Sequence, residues 1–211
     1  MKKRLHDKKA GIAILISLIV ISLAEIIFRA AAMGLEAVLT TSNLGEQLAV
    51  IALAVTILVL TAKGKDRACY ILYGAWIAYF VFDQIFELPG MIVTLADKIS
   101  VPIMALAIAF RLIIMIGIIV IGALLAEYMS DGTIYNKAFN IVCAIVVLIL
   151  ALDICRGIYG LAFLTPVHNI MKSQGMLVIF NDIYCLLMIF LFTFFAYDSA
   201  KAQLKKTDLT K

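Results

Sequence analysis

The stretch VPIMALAIAFRLIIMIGIIVIGALLA, residues 101–126, decides the fold, because it carries a single charge, Arg111, in 26 positions. A spanning helix needs about 20 apolar residues at about 1.5 Å rise each to cross about 30 Å of hydrocarbon. This run meets the requirement, and Pro102 sits where proline is favoured, at a helix start. Working outward, five further stretches qualify: residues 11–32, 47–62, 68–88, 137–161 and 176–197. Pro89-Gly90 is expected to break the third, and Gly175 to precede the sixth. The expected fold is therefore all-α, a polytopic membrane helix bundle of about six transmembrane helices in one domain, residues 1–211.

Bulk composition agrees. The chain is 64% hydrophobic and 15% charged, with a mean hydropathy of +1.08, against about 45–50% apolar and about 25% charged in soluble domains. The excess apolar surface must face lipid. A net charge of +4 would suit nucleic acid only if the basic residues formed one patch, and they are divided among short segments between apolar runs. Nucleic acid is not an expected partner. Cys69, Cys143, Cys155 and Cys185 lack CxxC spacing, and His6 and His168 stand far apart, so no metal or cofactor site is expected. The thiols read as buried small hydrophobes.

Lysines and arginines set the orientation. With the N-terminus inside, inner segments hold Lys2, Lys3, Arg4, Lys8, Lys9, Lys63, Lys65, Arg67, Lys137, Lys201, Lys205, Lys206 and Lys211, while outer segments hold only Lys98 and Lys172. That bias places both termini in the cytoplasm of a cell membrane. Tyr70, Tyr73, Phe86, Tyr128, Tyr159 and Tyr197 suit interfacial anchoring. The basic start, the apolar run and Ala30-Ala31-Ala32 also resemble a cleavable signal peptide. Glu25 and Arg29 in the would-be cleavage region favour a retained first helix. Lys63–Arg67 and Ser130–Asn136 read as inner turns; Thr40–Glu46, Pro89–Ser100 and Phe163–Gly175 read as outer segments, the last two long enough for short interfacial helices. Phe28-Arg29 with Met33-Gly34 echoes Phe110-Arg111 with Met115 and Gly117, a pattern that would fit inverted halves.

Ionisable groups inside spans are costly and read as functional by default. Here they are Glu25, Arg29, Asp83, Glu87, Arg111, Asp153, Arg156 and Asp182. Glu25, Asp83 and Asp153 each fall about 21 Å from the inner edge, and Asp182 falls about 9 Å from the outer edge, the same level. Glu25 and Arg29 are spaced for a same-face ion pair, as are Asp153 and Arg156. Asp83 and Glu87 repel unless a cation, a proton or an arginine intervenes, and Arg111, with no acid on its own helix, is the expected neighbour. Asn181 stands beside Asp182. Such charges can also merely join helices, or snorkel outward. Ala30/Gly34, Gly74/Ala78 and Ala105/Ala109 have the spacing of close helix packing. The second span carries no charge and is expected at the edge.

These features lead to an outward-facing polar cavity that binds or passes a small cationic solute or protons. Asp83, Glu87 and Asp182 are the candidates for direct contact, with Arg29 and Arg156 orienting their neighbours. A second possibility is an accessory or sensor subunit whose charges pair with another membrane protein. A third is an intramembrane enzyme, for which Asp83 and Asp153 could form a dyad; HExxH, GxSxG, P-loop and GxGxxG motifs are absent.

From the fourth span onward, the chain holds an apolar helix, an inner turn with Asp131-Gly132 and Asn136, two more helices and a tail ending Asp208-Leu209-Thr210. This layout resembles a family of small bacterial multi-pass membrane proteins of unknown function, often encoded beside a helix-turn-helix regulator. The resemblance covers about half the chain and departs in the inner turn, where Thr133-Ile134-Tyr135 replaces the usual Pro-Phe. It implies a sensing or regulatory role and assigns no site residues.

Overall fold

The computed structural model describes residues 2–34, 42–131, 137–163 and 169–209. They form six helices: α1 Lys2–Met33, α2 Ser42–Ala62, α3 Asp66–Lys98, α4 Pro102–Asp131, α5 Lys137–Phe163 and α6 Asn169–Leu209. No strand occurs among the described residues. Each of the six is long and apolar enough to cross a membrane.

The helix ends follow from local chemistry. Gly34, at φ +86°, closes α1 with its N–H on the Ala30 carbonyl at 3.1 Å. Between α2 and α3 the chain reverses in three residues. Gly64, at φ +68°, bonds Thr61 O at 3.1 Å, and Lys65 N bonds Leu60 O at 3.0 Å. Those two bonds make a Schellman cap, for which a left-handed glycine is the natural residue. Val101 O accepts the Ala105 N–H at 2.9 Å, so Pro102 occupies the first position of α4, where no N–H is needed.

Two expected breaks are not breaks. α3 runs through Pro89-Gly90 to Lys98, and the segment expected as an outer loop is mostly helix. Proline removes one hydrogen bond, to Ile85, whereas unravelling the chain there would expose many backbone groups with no water to receive them. α6 starts at Asn169 and passes Gly175. A Cβ at Gly175 would lie 3.2 Å from Leu161 Cδ2, so this glycine marks close approach to α5 rather than a stop. Residues 89–98 and 169–175 therefore extend α3 and α6 and are not separate interfacial helices. The parts of the expected turns at 35–41, 132–136 and 164–168, with His168 and Thr210, lie outside the described residues.

The chain divides into two compact units, Met1–Tyr73 with Ile154–Leu187, and Gly74–Asp153 with Met188–Lys211. In the first, α1 packs on α2; Leu15, Leu18, Ser22 and Glu25 are buried along one stripe of α1, and Ala54 and Ile57 are buried on α2. Phe28 packs on Phe180 of α6 with the rings tilted by 50° and their centroids 5.7 Å apart. α5 meets α6 where a Cβ on Gly157 would lie 2.9 Å from Ile179 Cγ1. Cys69 Sγ lies 3.4 Å from Thr61 Oγ1, next to the Schellman turn. Span α2 is the most exposed, 11% buried against 39% for α6; it starts at Ser42 rather than Gln47, so Glu46 falls inside a span expected to carry no charge.

The second unit is held by small-residue contacts and aromatics. Gly117 of α4 lies against Val146 of α5, and Gly122 faces Val81 of α3. Phe80 and Phe192 pack at 6.3 Å between ring centroids, and Trp76, Ile118, Met188 and Leu191 are buried in the same unit. At Gly122 an added Cβ would stand 2.6 Å from Val81 Cγ2 and 3.1 Å from Cγ1, and a valine cannot swing away as a flexible chain would. Gly122→Ala should therefore lower stability by about 1–3 kcal/mol. Adding Val81→Ala should recover part of that loss, read as a non-additive double-mutant cycle in detergent unfolding.

Candidate functional site

Ionisable side chains recur at one distance along the spans. Glu25 is 16 residues beyond Lys9, Asp83 is 17 beyond Asp66, Asp153 is 16 beyond Lys137, and Asp182 is 16 before Asp198. Each is thus about 24–26 Å along its helix from the end next to a basic segment. Arg111, 19 residues before Ser130, is a turn farther. Because α3 continues to Lys98, Asp83 stands near the middle of its helix and not close to its outer end.

In the first unit Glu25 is fully engaged. Arg29 Nη2 and Nε donate to Oε1 at 2.6 and 2.9 Å, and Gln47 Nε2 of α2 donates to Oε2 at 2.9 Å. The ion pair predicted by spacing is present, and Gln47 turns it into a clasp between α1 and α2. Three donors on one buried carboxylate offset much of the cost of removing it from water. Asp182 of α6 is 1% exposed and lies two residues beyond Phe180, the ring that packs on Phe28. Arg156 of α5, half-buried, adjoins Gly157 at the α5–α6 contact. Ser22, one turn from Glu25, is 1% exposed and its Oγ has no hydrogen-bond partner. Thr56, Thr61, Thr94 and Thr193 instead bond back to carbonyls of their own helices.

In the second unit Asp153 is 2% exposed, Asp83 and Arg111 are half-buried, and Glu87 is exposed. Gln84 is 2% exposed, and its Nε2 donates to Asp83 Oδ2 at 3.3 Å while its Oε1 has no partner. Glu87, Arg111, Asp153, Arg156, Asn181 and Asp182 all take part in further interactions. Among the described residues no three of His, Cys, Asp and Glu gather to hold a metal ion. The four cysteines are thiols, buried at 69, 143 and 185 and exposed at 155, so burial holds for three of them.

Gln47, Ser22 and Gln84 carry no formal charge, so the pattern of ionisable residues does not include them. Two of them were legible. Ser22 lies on the stripe Leu15, Leu18, Ser22, Glu25, and Gln84 continues Tyr73, Trp76, Ile77, Phe80 at helical spacing. Gln47 was not, since its partner comes from another helix.

No family model matches the chain, and neither a curated protein nor a solved structure matches it.

The clasp makes a stability prediction. Gln47→Leu should cost about 1–2 kcal/mol, the upper range for an interhelical hydrogen bond in a membrane. Glu25→Ala should cost more, about 3–5 kcal/mol, because it leaves the Arg29 charge without its carboxylate. The Glu25→Ala, Arg29→Ala double variant should lose less than the sum, measured by denaturant unfolding in mixed micelles.

Proposed function

We propose that the chain is an integral protein of the cell membrane, with both termini in the cytoplasm, that binds a small cation or passes protons through buried carboxylates in the outer half of its spans. The observation that carries this reading is the burial of Glu25, Asp153 and Asp182, which are 6%, 2% and 1% exposed inside apolar helices. Carboxylates so placed are expensive, and a purely structural role would be met by pairs at any depth. Glu25 is held by Arg29 and Gln47; Asp153 and Asp182, each almost fully buried within its own unit, are the positions we assign to ligand or proton.

The orientation rests on the basic residues, thirteen in the inner segments against two in the outer. In a variant lacking native cysteines, Lys65→Cys should react with an impermeant maleimide only from the cytoplasmic side and Lys98→Cys only from the outside. The reverse labelling would invert the topology.

The activity is tested in proteoliposomes. Wild-type protein should admit protons under a potassium diffusion potential, read by an internal pH dye, or take up methylammonium. Asp153→Asn and Asp182→Asn should each reduce the rate at least tenfold. Rates equal to those of empty liposomes would overturn the reading. A second reading, an accessory or sensor subunit, is favoured by one observation: on α3 the exposed Glu87 stands among Tyr79, Phe82 and Phe86, which are 64%, 59% and 80% exposed. That reading calls for a stoichiometric membrane partner in mild detergent.

A further inference from the structure

The reversal between α2 and α3 crowds three cations into five residues. Lys63, Lys65 and Arg67 are all exposed. The capped turn fixes their backbone, with Gly64 at φ +68° and Lys65 N on Leu60 O at 3.0 Å. Asp66 is the one acid among them, and it takes part in an interaction of its own.

A fourth cation stands at the same level. Consecutive spans run in opposite directions, and where α1 packs on α2, Gln47 Nε2 donates to Glu25 Oε2 at 2.9 Å. Lys9 lies 16 residues before Glu25, and Lys63 lies 16 residues after Gln47. Each is therefore about 24 Å along its helix from that bond. Burial keeps the same register in between. Leu18 and Leu15 lie 7 and 10 residues from Glu25, Ala54 and Ile57 lie 7 and 10 from Gln47, and all four are buried. Lys9 is exposed, and all of these residues belong to one compact unit. The end of the α1–α2 pair thus presents four cations against one acid where the spans leave hydrocarbon. Like charges gathered in this way attract an anion.

The adjoining surface says which anion. α2 is the most exposed span, 11% buried. Leu48, Val55 and Val59 form an exposed apolar stripe on it, and Lys63 follows Val59 by four residues on the same face. A soluble anion would use the cations alone. A phospholipid would use both, with its phosphate at the turn and an acyl chain on the stripe.

We infer that Lys9, Lys63, Lys65 and Arg67 form a binding site for the headgroup of an anionic phospholipid, whose acyl chain lies on α2 along Val59 and Val55. The site is separate from the buried carboxylates and stands whether or not they take a cation.

The test is thermal unfolding of the full chain in neutral micelles holding phosphatidylcholine, phosphatidylglycerol, or phosphatidylcholine with sodium phosphate, at one ionic strength. Phosphatidylglycerol should raise the unfolding temperature saturably above phosphatidylcholine, by about 3 °C or more. Lys63→Gln, Lys65→Gln and Arg67→Gln combined should lose most of that rise. Lys201→Gln, Lys205→Gln and Lys206→Gln combined, which remove the same charge from the end of α6, should keep it. Should the turn variant fail to fold, Lys65→Gln alone, at an exposed position, must still lower the rise. Equal unfolding temperatures in the two lipids overturn the inference. So does a rise matched by sodium phosphate, which marks a site for soluble anions. A rise kept by the turn variant, or lost equally in both triple variants, overturns it too, since overall charge and not this turn would then be responsible.

Discussion

Hydrocarbon offers neither donor nor acceptor, so each backbone group in these spans must find its partner within the chain. Continuous helices follow from that, and so does the passage of α3 through Pro89 to Lys98. In water the same Pro-Gly pair would end a helix, because the freed groups could turn to solvent. In lipid a single lost bond is the smaller cost. Where the chain must reverse, as at Lys63–Lys65, it does so with Gly64 in the left-handed region and both orphan carbonyls taken up by a Schellman cap. Thr56, Thr61, Thr94 and Thr193 obey the rule at the level of side chains, each returning its hydroxyl to its own helix.

Against that rule the polar side chains divide into closed and open. Glu25 is closed: both of its oxygens are taken, by Arg29 and by Gln47. A carboxylate in that condition joins α1 to α2 and has little left to offer a ligand. Ser22 Oγ and Gln84 Oε1 are open, buried and unpartnered. A protein that needed only to hold its helices together would place Ala or Leu at these positions at no polar cost.

The spans were legible in the sequence because hydropathy measures what lipid measures. Their ends were not. α6 runs to Leu209, past Asp198, through a polar segment that hydropathy cannot count, and α1 starts at Lys2 for the same reason. Pro89-Gly90 and Gly175 were read as punctuation by rules that hold in water, and both lie inside helices. The Glu25–Arg29 pair was visible in its spacing, since partners on one helix need no tertiary information. Gln47 was not visible, because a donor from another helix is fixed only once α1 and α2 have packed. Gln84 is readable from the buried stripe Tyr73, Trp76, Ile77, Phe80, but as a neutral amide it adds nothing to the charge pattern.

Depth carries one step more. Between Lys9 and Glu25, and between Lys137 and Asp153, there is no Asp, Glu, Lys or Arg; from Asp66 to Asp83 only Arg67 intervenes, at the very end. The same holds between Asp182 and Asp198. Each carboxylate therefore has about 24 Å of helix without an acidic or basic side chain between it and the end next to a basic segment. Ion pairs that serve only stability are cheapest near span ends, where water and headgroups share the cost, so stability alone favours shallower positions than these.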